Sequence, residues 1–515
     1  MKYPEIAKKA FDQINLKNYI DAELNLVKLL KRYPVDTSFV NALAFVKYNL
    51  NKIEDSISLL KKSLLINPNQ IDCLQNLAKH HIELKKYDDA LAIADEGIRN
   101  FKDPIFYYIK GVAFQGVENY LKAIDLFKQS IKSNPKFYDA NINLAFSYNK
   151  NKDYAKAIEI YHDLLSKNIK IHESHYNLAI VYNNVQDYKN AIIHYEESLK
   201  INPNNNVAKF NLSLVYLAQM NFVKGWPLWE SRWEALKKPE FAKKIDSCKL
   251  IDNNKKILIW GEQGIGEQIL YGSMIHDLKD NKNLSVAINK RLITLYQRSF
   301  NNINFLDIDK VKDSYDSQIA MGSLGAFLRK DQDSFVKQPK KFLIADSEKS
   351  SSFKSMINSK NKIICGLSWI SKNQFIGLNK SINLDSIINS LDKEKFLFVD
   401  LQYGNNKKER ESIKNKYDLD IINLESLDKF NDIDGLVSLI DICDVVVSVS
   451  NITAHLSGAL GKKTFMLAPH EYGSMWHWHF GSLSPWYPSI KIFRKKNESS
   501  WTEPLKELSE EIKKL

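Results

Sequence analysis

The stretch "ILIWGEQGIGEQILYGSMI", Ile257–Ile275, joins an apolar run to three glycines (Gly261, Gly264, Gly266) and then to a helical pattern. A strand, a glycine turn and a helix in that order open a βαβ unit, and ligands of such sheets lie beyond the carboxyl ends of the strands. The turn is not a P-loop, which ends in Gly-Lys-Ser/Thr so that an amine reaches the phosphates and a hydroxyl holds magnesium. Here the glycines lead into Glu267-Gln268. Nor is it the G-x-G-x-x-G dinucleotide fingerprint, because the spacing is G-x-x-G-x-G and a carboxylate stands where a phosphate would sit. An acid at the mouth of this helix calls for a different chemistry.

Working outward, short β-rich runs alternate with helical patterns: "KILIW", "LSVAI", "NINFL", "DSQIAM", "KIICGLSW", "FLFVDLQ", "DVVVSVS", "KTFMLA" and "IKIFR". This is the pattern of parallel sheets built from βαβ units. A Lys/Ser-rich region, "DSEKSSSFKSMINSKNK", divides the set after about Ala345 and predicts two Rossmann-like halves, 256–345 and 346–515. After "DVVVSVS", Asn451 is a good N-cap for the helix "ITAHLSGAL", which Gly461 ends. Free backbone N–H groups at Asn451, Ile452 and Thr453 and the helix dipole predict an anion site there. Thr453 adds a hydroxyl, and His455 lies one turn inside.

Upstream of the sheets the sequence repeats. The signals "NYIDA", "KIEDS", "KYDDA", "NYLKA", "DYAKA", "DYKNA" and "NFVKG" end at Ala22, Ser56, Ala90, Ala123, Ala157, Ala191 and Gly225, in steps of 34, 34, 33, 34, 34 and 34 residues. A second small-residue series runs through Ala44, Ala78, Ala113, Ala145, Ala179 and Ser213, and prolines at 34, 68, 104, 135 and 203 read as stops after each second helix. This period resembles the tetratricopeptide repeat. It predicts about seven helix pairs over 1–234, an α-solenoid that binds a peptide or protein, with a linker at 235–255. Asn76, Asn143, Asn177 and Asn211 share one helix position. An amide donates and accepts, so a ladder of them could grip an extended peptide backbone, as in protein O-GlcNAc transferases.

Composition narrows the function classes. At 515 residues several domains are expected, and no apolar run reaches the twenty or so residues of a membrane span. The start, "MKYPEIAKKAFDQIN", lacks the apolar region of a secretion signal, and Cys73, Cys248, Cys365 and Cys443 show no paired spacing. A reducing cytoplasm and no structural metal are expected. The net charge is +12, but only eight of 73 basic residues are arginine, so nucleic acid is not the expected partner. The D-x-D pairs at Asp307/Asp309, Asp418/Asp420 and Asp432/Asp434 read as solvated acids, and "WHWH", with His477 and His479, as a packed aromatic loop.

Taken in order, "WGEQGIGEQILYGSMI", "GLSWIS", "NKSINL", "LQYG", "SNITAHLSGALGKKTFMLAP" and "WHWHFGSLSPWYPSIKIFRK" resemble the glycosyltransferase domain that follows tetratricopeptide repeats in many bacterial proteins. That domain is related to the heptosyltransferases and has the GT-B fold. The resemblance implies a metal-independent, inverting transfer from a nucleotide-sugar donor, with no cofactor. It places Glu267 as the general base, where the relatives carry aspartate, the alternative being an acid that only caps its helix. It places Lys380 on the leaving diphosphate, Gln402 and Tyr403 against the nucleoside, and Asn451, Ile452, Thr453 and His455 around the donor. Ser450 departs from the aspartate common in relatives. The expected acceptor is a hydroxyl on a protein captured by the repeats. Two other readings stand beside it: an interaction scaffold with a decayed GT-B domain, and a transferase of cell-envelope glycans. Residues from about Pro239 onward are expected to keep their own core.

Overall fold

The computed structural model describes residues 3–515 apart from 235, 249–251, 253, 313–314, 358, 360, 374–375, 471–474 and 497–499. The chain forms two compact units, Met1–Val181 and Tyr182–Leu515.

Helices α1 (Tyr3–Asn15) and α2 (Tyr19–Arg32), α3 (Thr37–Asn49) and α4 (Ile53–Ile66), α5 (Ile71–Glu83) and α6 (Tyr87–Phe101), α7 (Pro104–Gly116) and α8 (Tyr120–Ser133), and α9 (Tyr138–Lys150) and α10 (Tyr154–Ser166) follow one another as helix–turn–helix pairs. The pattern continues in α11 (Ile171–Asn184) and α12 (Tyr188–Ile201), then α13 (Asn206–Ala218) and α14 (Phe222–Trp229), so that seven such pairs lie among the described residues. The marks are packing positions. Ala22, Ser56, Ala90, Ala123 and Ala157 are fully buried, and Ser56 Oγ donates to Ala44 O at 2.7 Å. The turn inside each pair has its own mark, a left-handed residue at Lys17, Asn51, Lys85, Glu118, Lys152, Gln186 and Met220, with φ between 57° and 65°. None is glycine, so each carries the Cβ penalty of that conformation. Pro104 departs from expectation. It is the first residue of α7, where its missing N–H costs nothing, and Asp103 caps the helix from Ile105 N at 2.9 Å. Pro34, Pro68, Pro135 and Pro203 do follow α2, α4, α8 and α12.

The second unit adds α15 (Glu240–Lys244), β1 (Ile257–Trp260), α16 (Ile265–Gly272), β2 (Leu284–Ile288), α17 (Ile293–Ser299), β3 (Asn304–Asp307), β4 (Ser317–Ala320) and α18 (Gly325–Leu328). It continues through α19 (Ser347–Met356), β5 (Ile363–Ser368), α20 (Gly377–Lys380), α21 (Leu384–Ser390), β6 (Phe396–Asp400), α22 (Lys407–Tyr417) and α23 (Ile433–Asp441). The chain closes with β7 (Val445–Val449), α24 (Ile452–Ala459), β8 (Thr464–Ala468), β9 (Ile490–Arg494) and α25 (Thr502–Ile512). Among the described residues two wholly parallel sheets result, in the orders β3-β2-β1-β4 and β6-β5-β7-β8-β9. Continuous apolar strands such as β7 are buried along their whole length, as helices on both faces require.

The repeat marks end at Gly225, but the packing does not divide there. Leu217, Phe222, Trp226 and Trp229 belong to one apolar core with Ile259 of β1, Leu270 of α16 and Val446 of β7. Trp226 Nε1 donates to Arg329 O at 2.7 Å. Arg232, fully buried, holds Glu262 through Nε at 2.8 Å and Nη2 at 2.9 Å. The last repeat helices thus form part of the α/β core. The expected linker 235–255 contains α15 and a bridge from Ser247 to Gln318, while 235, 249–251 and 253 lie outside the described residues.

The expectation that residues from Pro239 fold alone is therefore replaced by another. A fragment beginning at Tyr182 should melt cooperatively by circular dichroism. One beginning at Pro239 should lose the transition, since it gives up four core side chains and leaves Glu262 without its arginine, a loss of about 3–5 kcal/mol by itself. Equal melting of the two would mean that α13 and α14 are accessory.

Candidate functional site

The loop from β1 into α16 carries two acids with different surroundings. Glu262 is buried and held, accepting from Arg232 Nε and Nη2 and from Gly322 N at 2.8 Å. Glu267, in the first turn of α16, is only partly buried, and its carboxylate lies over the turn, with Oε2 2.8 Å from where a Cβ on Gly264 would stand. Among the described residues it makes no hydrogen bond or ion pair, so the capping box that would reduce it to a helix cap is not closed. Gly261 is needed for a close approach: a Cβ there would lie 2.6 Å from the Gln268 side chain, whose Oε1 accepts from Asn289 N at 2.9 Å.

Two groups on helices that flank the second sheet lie near this loop. Lys380, at the end of α20, is 6% exposed and is not a surface lysine. Burial pulls its amine down to about 8, and the nearby Glu267 carboxylate opposes that fall. His455, inside α24, shares a hydrogen bond of 3.0 Å between Nδ1 and the Tyr487 hydroxyl. Its ring abuts α16, since a Cβ on Gly266 would stand 3.0 Å from His455 Cδ2 and 3.2 Å from Nε2. Burial, then the charge of Lys380, push His455 down to about 3, so it is a neutral imidazole. His455 thus lies against the helix that carries Glu267, and Lys380 is within electrostatic reach of both. His477, read from sequence only as part of a packed loop, is packed but also lies here. Its ring is 5.2 Å from that of His455, and neither of its buried nitrogens has a hydrogen-bond partner among the described residues. The "WHWH" alternation was its one sequence signal.

Other expected ligand contacts turn out to brace the loops. Asn451 caps α24 as expected, its Oδ1 accepting from Thr453 N at 3.0 Å, while its Nδ2 donates to Ser368 Oγ at 2.8 Å and Ile370 O at 3.0 Å. Asn451 N itself donates to Val449 O at 2.8 Å. Two of the three backbone donors expected for an anion are therefore engaged, leaving that of Ile452 at the helix tip. The Thr453 hydroxyl is fully buried and donates to Ser368 Oγ at 3.3 Å. Gln402 is likewise committed, its Oε1 accepting from Ser368 Oγ at 3.1 Å, Trp369 N at 2.9 Å and Ile370 N at 2.8 Å. Tyr403 is half-buried, and its oxygen accepts from Lys372 N at 3.2 Å. Ser450 Oγ accepts from Trp478 Nε1 at 2.8 Å, so the departure from aspartate is matched by an indole donor.

The asparagines of the repeats are not alike. Asn76 is exposed, and Asn143 Nδ2 donates to Tyr108 Oη at 3.1 Å and to Asp139 O at 3.0 Å. Asn177 belongs to the first compact unit, and Asn211, on α13, to the second. Of the D-x-D acids, Asp307 and Asp432 cap the turns that follow them, Asp420 pairs with Lys414, and Asp434 pairs with Arg298 and Lys349.

Two segments match the tetratricopeptide-repeat family, residues 126–159 and 172–205. The N-terminal part of the chain is a tetratricopeptide-repeat solenoid, followed by an α/β region of parallel sheets. Protein FlbA of Caulobacter vibrioides (strain ATCC 19089 / CIP 103742 / CB 15) is 25% identical over 304 residues, 54% of this chain and 50% of that protein. The chain thus spans about half the length of that relative. Among solved structures, a tetratricopeptide repeat protein from Parabacteroides merdae ATCC 43184 is similar at 17% identity and a TM-score of 0.41, covering 47% of this chain and 96% of that one. MamA from Desulfovibrio magneticus RS-1 is similar at 17% identity and a TM-score of 0.30, covering 32% and 94%.

The contact of Gly266 with His455 gives a test of the cleft geometry. In Gly266→Ala the added methyl must displace an imidazole boxed in by Trp478 and Tyr487. Overpacking of about 1–3 kcal/mol should exceed the roughly 1 kcal/mol gained in helix propensity. Urea denaturation should show a net loss that His455→Ala partly restores in the double variant. A more stable Gly266→Ala protein would show that the two helices do not press together.

Proposed function

We propose that the cleft transfers a glycosyl group from a nucleotide-sugar to an acceptor hydroxyl. The observation that carries the reading is a carboxylate with no hydrogen bond or ion pair among the described residues, on the helix after β1, within electrostatic reach of a buried amine on the helix after β5. Glu267 takes the acceptor's proton as its oxygen attacks the anomeric carbon. The bond to the diphosphate breaks, and its electron pair leaves with the phosphate oxygen. Lys380 and the Ile452 N–H stabilise that developing charge, in surroundings with little water to screen it. His455, neutral and fixed by Tyr487, gives the cleft a rigid polar wall rather than a second cation. Direct attack predicts inversion at the anomeric carbon, and no step calls for a metal. Tetratricopeptide repeats generally bind proteins, so we assign acceptor capture to the solenoid. Among the described residues no helix is long and apolar enough to cross a membrane.

Interaction without catalysis is the second reading, and the matched repeats are what favour it. Nucleotide-sugar turnover separates the two. Glu267→Gln keeps shape and removes the base, so transfer should fall by roughly a hundredfold or more with donor affinity nearly unchanged. A Gln variant with full activity would reject the base assignment.

Lys380 supplies a pH test. Because an anionic diphosphate favours the charged amine, binding raises its pKa above about 8. Affinity should therefore be full below about pH 8 and fall as the pH rises through it, by up to about tenfold per unit. Lys380→Ala should weaken nucleoside diphosphates by about 1.5–3 kcal/mol, spare the free nucleoside, and abolish that pH dependence. Calorimetry that finds equal losses for both ligands would reject this placement.

A further inference from the structure

Helix α2 carries two apolar rows on opposite sides. Ala22, Leu26 and Leu29 are buried in the core of the first repeats. On the solvent side Ile20, Leu24 and Val27, spaced i, i+4, i+7, are 68%, 58% and 39% exposed. The repeat itself provides the comparison. The same three positions, counted from the small-residue mark, hold Glu54, Ser58 and Lys61 in α4 and Asp88, Ala92 and Asp95 in α6. They hold Leu121, Asp125 and Lys128 in α8, Ala155, Glu159 and His162 in α10, and Lys189, Ile193 and Glu196 in α12. Each of those rows contains a charged residue, whereas that of α2 is wholly apolar. Single exposed apolar side chains are ordinary, but a contiguous row of them marks an interaction surface.

Charge identifies the occupant. Asp21 and Lys28, both exposed, stand two turns apart along one flank of this row. Asp21 accepts from Asn18 Nδ2 at 2.9 Å, and neither it nor Lys28 has an ion pair among the described residues. The flank is thus acidic towards the start of α2 and basic towards its end. A second α2 laid antiparallel on the first brings its Lys28 to Asp21 and its Asp21 to Lys28, while the two apolar rows meet about Leu24. A parallel copy would set like charges side by side, and an anionic surface would meet Asp21 on the same flank. We propose that α2 is a self-association surface, on which two copies of this chain pair antiparallel about a twofold axis near Leu24. Three apolar side chains and two exposed ion pairs lie at the low end of interface sizes, so the pair is weak and depends on concentration. The inference does not depend on catalysis in the cleft.

Sedimentation equilibrium on the full chain, between about 1 and 200 µM, tests the pairing. The average mass should rise with concentration from that of one chain towards two, and Leu24→Glu or Val27→Lys should hold it at one. Both side chains lie on the solvent side of α2, so circular dichroism should show native melting in each variant. Asp21→Lys and Lys28→Glu should each weaken the pair about tenfold, since each sets like charges together twice. Mixed in equal amounts, these two variants should pair with each other more tightly than either does with itself, because both contacts then join opposite charges. A native chain that stays single throughout this range would overturn the proposal, as would pairing that survives both Leu24→Glu and Val27→Lys. Native pairing by each charge variant alone would overturn the antiparallel arrangement. A chain that stays single and binds phosphatidylcholine–phosphatidylserine vesicles, with binding lost in Leu24→Glu, would overturn it in favour of a membrane surface.

Discussion

The buried pair of Arg232 and Glu262 is the constraint on which the second unit is built. Taking two charges out of water costs several kcal/mol per ion, and only good geometry with further hydrogen bonds offsets that. Both conditions hold here. The contact is bidentate, Arg232 also donates to Trp229 O at 3.1 Å and Ser323 Oγ at 2.7 Å, and Glu262 accepts from Gly322 N. The guanidinium also lies over the rings of Trp229 and Trp233, at 4.8 and 4.2 Å from their centroids. Arg232 follows the last repeat helix, and Glu262 belongs to the glycine loop. One interaction therefore ties the end of the repeat array to the turn that starts α16 and aims Glu267.

Around that anchor, the cleft separates groups that hold from groups left available. Glu262, Gln402, Asn451 and Thr453 have their hydrogen-bonding capacity used within the protein and fix the loops at the carboxyl ends of β1, β5, β6 and β7. Glu267, Lys380 and the Ile452 N–H are the polar groups on which the proposed transfer draws. A buried amine whose pKa has been lowered gains most when a diphosphate arrives, because binding restores the charge that burial disfavours.

The sequence was legible wherever a period or a local rule sets the structure. All nine apolar runs are strands, and the small-residue marks locate seven helix pairs, because each reflects a repeated packing position. Asn451 and Gly461 could be read as helix cap and stop because capping is local. What escaped depends on partners distant in the chain. Arg232 and Glu262 are 30 residues apart on segments of different pattern. Nothing in "NFVKG" tells that Phe222 will pack against the α/β core instead of another repeat. Pro104 was misread because one residue type serves both to stop a helix and to start one. The donors of Asn451 and Thr453 were counted as free because a helix start exposes donors on average, whereas this one satisfies its own.

In the proposed reaction Glu267 and Lys380 flank the two sides of one reacting centre. A crystal structure of the full chain with a nucleoside diphosphate bound would test it most directly. Phosphate oxygens should lie within hydrogen-bonding distance of Lys380 Nζ and the Ile452 N–H, with the Glu267 carboxylate facing the terminal phosphate across a gap able to hold a sugar. A nucleotide bound elsewhere, or in this cleft with its phosphates turned away from Lys380, would contradict it.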